Sequence, residues 1–344
     1  MNMFDVNLED AIGKRVNRDI FNRNGVLLAS INSLITYDHI KLMKKHSITL
    51  TSDDVSSIGP YSGMQSFEQQ QLIDDMVLQA GRLFEEIRAT KAIPLLCLRK
   101  EIIPMIQEAT DTMHLFGLFS SLQATDDYTY RHNVAVGTIS GLLGMWLGLE
   151  HQERLQLTTA ALLHDAGKML IPQDILNKPD RLTEKEHDVM KKHTILGYEL
   201  IKETVGTNHR QALVALQHHE RMDGSGYPFG ITKDKIDLFS RIVAVADVFH
   251  AMSSKRVYRN PSPFYEVLFQ MEADTFGVLD PAITRLFIER MMNNLIGSSV
   301  LLTDGSEGRV LMIHIHDPTH PLVQVGNDYI DLSKNQFLRI KQIL

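Results

Sequence analysis

The chain is nearly free of cysteine. Cys97 stands alone among 344 residues, so no intrachain disulfide and no thiolate zinc site can form. That agrees with a reducing compartment. No apolar run reaches about 18 residues, which excludes a transmembrane helix. The opening MNMFDVNLED lacks the apolar stretch of a signal peptide. The expected location is cytoplasmic. Positive charge is also short: 35 Lys and Arg stand against 42 Asp and Glu, a net charge of −7. A general nucleic-acid binder is basic at least locally. Neither DNA nor RNA is therefore expected as a partner, and the charge of any anionic substrate must be met at the site itself. Internal repeats and low-complexity tracts are missing. A hydrophobic fraction of 44% and a charged fraction of 22% exclude a disordered chain. The length allows about two or three domains.

Histidine is abundant, with 15 copies, and several fall where a helix places core residues. The periodicity predicts a mainly α protein with small β-containing modules at both ends. Residues 1–60 read as a small α+β module. In it, Asn22–Gly25 separates Val16–Phe21 from Val26–Leu28 as a hairpin, and a helix follows near Ser33–Lys45. The Ser/Asp/Gly/Pro cluster Ser52–Gly63 reads as a linker. Residues 61–122 carry helical spacing, as in Leu72, Met76, Leu83 and Ile87, with Pro94 and Pro104 ending or kinking helices. This connector is either a homodimer interface, a signal-transmitting stalk or packing for the domain that follows. Residues 123–295 read as a helical catalytic domain. Residues 296–344 read as a β module, with strands at Val300–Thr303, Arg309–Ile315, Leu322–Val325 and Tyr329–Leu332 and a Pro-rich turn before the third.

In the helical domain, five histidines and two aspartates sit in apolar surroundings. His132 shares a face with Val136, Ile139 and Leu143. His164-Asp165 ends a helix carrying Leu155, Thr159 and Leu162. His193 follows a capping box, Thr183-x-x-Glu186, and is expected on one face with Val189, Leu196 and Leu200. His218-His219 closes Ala212–Gln217. Asp247 lies inside the apolar run Ile242–Phe249, where a bare carboxylate needs a cation or strong donors. One buried histidine is ordinarily a satisfied core residue; the set is what matters. Imidazole nitrogens and carboxylates without thiolate suit Fe, Mn, Zn or a similar divalent ion. More than four candidate ligands exceed one tetrahedral site, and two ions sharing a carboxylate would use them.

At this point the chain resembles the HD-GYP subfamily of metal-dependent HD phosphohydrolases. His164-Asp165-Ala-Gly-Lys168 resembles the HD motif, and His218-His219-Glu220-Arg-Met-Asp223-Gly224-Ser-Gly226-Tyr227-Pro228 resembles the subfamily signature. The segments Ile171–Glu186 and Arg241–Arg259 match the stretches between and after these motifs, so the resemblance covers about 125–290. It implies an all-helical HD-type catalytic domain and a bacterial cyclic di-GMP phosphodiesterase yielding mainly linear pGpG, with further cleavage to GMP slow or absent. It also implies metal ligation by His132, His164, Asp165, His193, His218, His219 and Asp247, with Asp165 bridging two divalent ions. Fe or Mn is expected, with Zn, Ni or Mg as alternatives. Lys168 would face the scissile phosphate and serve catalysis with Asp165. Arg256 and Arg259 would bind phosphate oxygens. Gly224, Gly226 and Pro228 would shape a loop, and Tyr227 would form a shelf for a base. Signalling proteins would be partners of the flanking modules.

Two positions depart from the subfamily. Some members carry a glutamate ligand for a third metal four residues before the first histidine; here it is Tyr128, which favours two ions. A common aspartate three residues after the ligand aspartate is His250 here. Two other readings stand beside the first. One is a low-turnover cyclic di-GMP sensor, and the other is an HD phosphohydrolase of another nucleotide. His314 and His316 read as an exposed strand face, His187 as solvated, and Cys97 as a small core residue.

Overall fold

The computed structural model describes residues 5–6, 8, 11, 14–22, 25–29, 35, 37–51, 53–56, 67–112, 115–122, 128–254, 264–274, 277–335 and 337–344. The chain forms two compact units. One joins Met1–Gly63 to Leu295–Leu344, and the other is Met64–Asn294.

The first unit begins with β1 (Asp5–Val6), β2 (Arg15–Val16), β3 (Ile20–Phe21), β4 (Leu27–Ala29), α1 (Tyr37–Lys45), β5 (Leu50–Thr51) and β6 (Val55–Ser56). The strands pair antiparallel as β1–β5, β2–β6 and β3–β4 around Val16, Leu28, Ile40, Met43 and Leu50. The β3–β4 hairpin forms where the turn residues predict it. Asn22 accepts the Gly25 N–H at 3.0 Å, and its side chain accepts the Val26 N–H at 2.9 Å. The predicted linker does not begin at Ser52. Asp54 accepts the Thr51 N–H at 2.7 Å and folds the chain so that β6 returns onto β2. The polar residues there serve a tight turn. Residues 57–63 lie outside the described residues.

The second part of this unit is an antiparallel sheet of β7 (Ser299–Leu302), β8 (Glu307–His314), β9 (Asp317–Val325), β10 (Asp328–Asp331) and β11 (Ile340–Ile343), in the order β10-β9-β8-β7-β11. The Pro-rich segment predicted as a turn is the first half of β9. Because β10 pairs only with Leu322–Val325, Pro318 and Pro321 lie where β9 pairs with β8 alone, across an irregular register. The turn falls at Ile315–His316 instead. His316 therefore shares no strand face with His314, whose Nε2 lies 2.9 Å from Asp331. A register shift between Val310 and Met312 adds one residue to β8, and both Val310 and Ile313 are buried despite odd spacing.

The second unit is helical. It contains α2 (Phe67–Thr90), α3 (Leu95–Cys97), α4 (Ile103–Thr112), α5 (Leu115–Leu122), α6 (Tyr128–Trp146), α7 (His151–Leu162), α8 (Gln173–Leu176), α9 (Glu184–Lys191), α10 (His193–Glu203), α11 (His209–Gln217), α12 (Leu238–Ser253), α13 (Phe264–Asp274) and α14 (Pro281–Asn293). No helix among the described residues is long and apolar enough to cross a membrane. Pro94 precedes α3, and Pro104 follows directly on a π-helical turn at the start of α4, where the i to i−4 ladder is locally interrupted. The connector packs within this unit. The buried stripe Ile73, Met76, Ala80, Leu83, Phe84 and Ile87 of α2 faces α6 and its neighbours. Arg131 of α6 pairs with Asp74 at 2.8 Å, and Phe84 stacks on Tyr130. Cys97 is half-buried with its Sγ 3.4 Å from Glu101, so it is not a core residue.

Local signals explain the segments that bear the histidines. The predicted capping box opens α9, with Thr183 and Glu186 satisfying each other's backbone N–H groups, and a second box at Asn208 and Gln211 opens α11. α9 ends before Lys192, so His193 starts α10 and does not continue the face of Val189. After α7 the chain tightens into a 3₁₀ turn, Ala166–Leu170. That turn lies against the start of α10, and a Cβ built on Gly167 would stand 2.0 Å from the His193 carbonyl oxygen. Only a residue without a side chain lets these backbones meet.

Gly167→Ala is therefore expected to destabilise the protein by more than about 3 kcal/mol, as severe overpacking against backbone does. Gly137→Ala, whose Cβ would meet neighbours at 3.5 Å inside α6, is expected to stay within about 1 kcal/mol of the parent. Urea unfolding followed by circular dichroism checks both; equal effects would refute the reading of Gly167.

Candidate metal centre

Five elements deliver the seven expected ligands to one place. His132 projects from α6 beside buried Val136, Ile139 and Leu143. His164 and Asp165 follow the end of α7, His193 opens α10, and His218 and His219 follow α11. Asp247 projects from the apolar α12. Only His219 among them is more than one tenth exposed.

Asp165 lies at the centre. Its Oδ1 is 3.3 Å from His193 Nε2 and 3.7 Å from His218 Nε2. Its Oδ2 is 3.4 Å from His164 Nε2 and 3.9 Å from His132 Nε2. Two ligand groups result, Asp165 with His193, His218 and His219, and Asp165 with His132 and His164. Asp247 joins from the far side, with Oδ1 3.2 Å from His132 Nε2 and Oδ2 3.9 Å from His219 Nδ1.

The protonation pattern fits cations there. His164 Nδ1 lies 2.7 Å from the Ala161 carbonyl, His193 Nδ1 2.7 Å from Met190, and His218 Nδ1 3.0 Å from Ala215. A carbonyl only accepts, so in each ring Nδ1 carries the proton and Nε2 presents a lone pair to the centre. His193 Nε2 and His218 Nε2 then face each other at 3.4 Å. His164 Nε2 and Asp165 Oδ1 are buried with no hydrogen-bond partner among the described residues. Buried lone pairs and carboxylates converging in this way call for positive charge between them.

Electrostatics follows from burial and this crowding. Burial holds His132 and His218 below the usual imidazole range, and brings His193 to about 4 and His219 to about 3. His164 departs from the pattern, because the pull of Asp165 outweighs burial and raises it. Burial pushes both aspartates up, but the Lys168 ammonium beside Asp165, and a hydrogen bond from His132 to Asp247, outweigh it and hold both well below the usual carboxylate range. Apart from His164, the ligands are thus in the forms a metal requires at neutral pH.

The other expected residues divide. Lys168 lies on the 3₁₀ turn, where residues three apart stack, and its Nζ is 2.5 Å from Asp165 Oδ2. An α-helical face is not what joins them. Tyr227 stacks on His219 with ring centroids 4.6 Å apart, and burial raises its hydroxyl. Arg256 and Arg259 lie outside the described residues. Tyr128 begins α6, and nothing of its side chain is described.

Glu220 and His250 make contacts that the motif spacing does not announce. Glu220 is buried and accepts the N–H groups of Phe229 at 2.8 Å and Ile231 at 3.1 Å. It ties down the loop that the glycines allow. At Gly226 a Cβ would meet the His219 carbonyl oxygen at 2.4 Å. An acidic residue next to His218-His219 was the available signal. His250 is 3.0 Å from His132, ring nitrogen to ring nitrogen.

The neutral histidines fix a sign for pH dependence. Below about pH 6.5 the unfolded chain takes up protons that the folded, metal-free cluster refuses, so stability falls as pH falls. Each depressed imidazole contributes up to about 2 kcal/mol of loss between pH 6.5 and 5, while His164 opposes. Thermal unfolding of metal-free protein across that range is expected to show a falling midpoint; a flat or rising profile would contradict the neutral assignment.

Comparison with known proteins agrees with this geometry. Residues 118–283 match the family model described as HD domain. The chain is 36% identical over 204 residues to a cyclic di-GMP phosphodiesterase of Pseudomonas aeruginosa, covering 59% of this chain and 49% of that one. It is 45% identical over 147 residues to the cyclic di-GMP phosphodiesterase response regulator RpfG of Xanthomonas campestris, covering 42% and 38%. The chain therefore spans about half the length, or less, of these curated relatives. A solved HD-GYP-type protein from Bdellovibrio bacteriovorus shares the fold, with a TM-score of 0.52 at 15% identity over 83% of this chain and 98% of that one. The family match takes in every position at which Asp165 gathers its histidines, and it is through this segment that the chain is similar to HD-domain proteins.

Proposed function

We propose that the chain is a metal-dependent phosphodiesterase that opens cyclic di-GMP to linear pGpG. The observation that carries this reading is the carboxylate of Asp165, whose two oxygens face two different sets of histidines. That arrangement suits a pair of divalent ions, with Fe or Mn first by ligand type. When bound, such ions supply Lewis acidity and an activated water for in-line attack at phosphorus.

The chain's own residues do the rest. His132, His164, His193, His218, His219 and Asp247 complete the ligand set, and Asp165 bridges it. Lys168, about a quarter exposed and beside Asp165, offers its ammonium to a phosphate oxygen as charge develops. Arg256 and Arg259 bring guanidinium forks to the other phosphate oxygens. These local cations explain how a chain of net charge −7 holds a dianion. Tyr227, anchored on His219, offers its free edge and the adjacent loop to a base. Tyr128 supplies no carboxylate for a third ion, so cleavage stops mainly at pGpG. The flanking unit relays a signal to or from the helical one, in the cytoplasm.

Metal-replete protein incubated with cyclic di-GMP, and with cyclic GMP-AMP as the competing substrate, is expected to release pGpG from the former, read by product chromatography. Recovery of intact cyclic di-GMP would leave only binding. His164→Ala and Asp165→Ala are expected to lose most metal by elemental analysis and nearly all turnover. Full metal occupancy in either would rule out the ligand set.

Lys168→Ala is expected to keep its metal while turnover drops by about 10²–10³, the effect of removing one donor to developing charge. Unchanged turnover would place the scissile phosphate elsewhere.

A further inference from the structure

The histidines at the centre are aimed in two ways. His164, His193 and His218 each give the Nδ1 proton to a backbone carbonyl three residues earlier. His132 lies within the α6 helical ladder, and its Nδ1 meets a side chain instead. His250 Nδ1 stands 3.0 Å away, with both rings buried. Both facing nitrogens belong to imidazoles, so one proton must lie between them and its owner has to be settled elsewhere.

Leu122 settles it. Its carbonyl oxygen is 3.3 Å from His250 Nε2 and can only accept. Ser254 Oγ is 3.0 Å from the same nitrogen and 3.4 Å from Nδ1, and a hydroxyl serves either way, so the carbonyl decides. His250 Nε2 therefore carries the proton of the neutral ring, and its Nδ1 is left as an acceptor. The shared proton belongs to His132 Nδ1. The Nε2 of His132 then turns a lone pair toward Asp247 Oδ1 at 3.2 Å and Asp165 Oδ2 at 3.9 Å, acceptors facing one another as around a cation. α12 holds the ring from both ends: Asp247 faces Nε2, and His250, three residues later and on the same side of that helix, faces Nδ1.

We infer that His250 is a positioning residue, which fixes His132 in the Nδ1–H tautomer through a relay running from His132 to His250 to the Leu122 carbonyl, so that His132 Nε2 is presented to a cation. The inference rests on the reading of the cluster as a metal site. Without an ion, Asp247 competes for a proton at His132 Nε2, so the tautomer of the metal-free protein measures the relay directly against that carboxylate. A ligand histidine held by such a partner loses about 10–100-fold in metal affinity when the partner is removed.

Histidine-selective ¹⁵N NMR of the metal-free protein, with His132→Gln used only to identify the resonance, is expected to show His132 protonated at Nδ1. His250→Phe removes the acceptor. It is expected to lose that signature and to bind Mn(II) about 10–100-fold more weakly in chelator competition. His250→Asn places an amide oxygen near the position of Nδ1 and is expected to keep the tautomer, with affinity within about threefold of the parent. Wild-type His132 protonated at Nε2 would overturn the inference, and so would an unchanged tautomer and affinity in His250→Phe. If His250→Phe fails to fold, the wild-type tautomer and His250→Asn still decide. Wild-type protein that takes up no Mn(II) would remove the metal reading alone, while the metal-free tautomer would still judge the relay.

Discussion

A carboxylate taken out of water costs several kcal/mol unless positive charge or strong donors meet it. Asp165 is 2% exposed, ionised, and surrounded by imidazoles that turn lone pairs toward it. In the absence of an ion, Lys168 at 2.5 Å is its strongest partner. The helical unit is arranged around this demand. α6 and α12 project His132 and Asp247 from within their length, the ends of α7 and α11 and the start of α10 bring the other ligands to the same point, and the Gly167 backbone contact brings the 3₁₀ turn and α10 close enough for Asp165 and His193 to share it.

Aiming is local while assembly is global. Three of the imidazoles are oriented by carbonyls of their own helix turn, an arrangement available as soon as that turn forms. Their meeting depends on long-range packing, such as the stripe of α2 on α6 and the contact of Gly167 with α10. This separates two kinds of damage. A change in a ligand's own turn misdirects one lone pair, while a change in the packing surface moves a whole group of ligands away from Asp165.

Much of this was legible in the sequence. Histidines on apolar helix faces, and Asp247 within an apolar run, stand out because burying such groups is costly without a reason. The capping box at Thr183 and the hairpin about Gly25 were legible because turn chemistry is local. What was not legible depends on partners far along the chain. Pro318 and Pro321 look like a turn until β10 is seen to stop short of them. β6 looks like linker until it pairs with β2. The break before His193 is hidden because helical spacing carries on past Lys192. His250 was visible as an unusual residue, but its use depends on the carbonyl of Leu122, and no side-chain pattern reports a carbonyl.

The ligands come from well-separated parts of the chain: His132 and Asp247 alone enclose more than a hundred residues. An ion held by them is therefore also a cross-link. Closing a loop of about a hundred residues removes several kcal/mol of chain entropy from the unfolded ensemble, much as a disulfide does. A protein with a single cysteine has no covalent staple of its own. With ions bound, the ligand cluster would double as a fastener, and the supply of metal would set how long the helical unit persists.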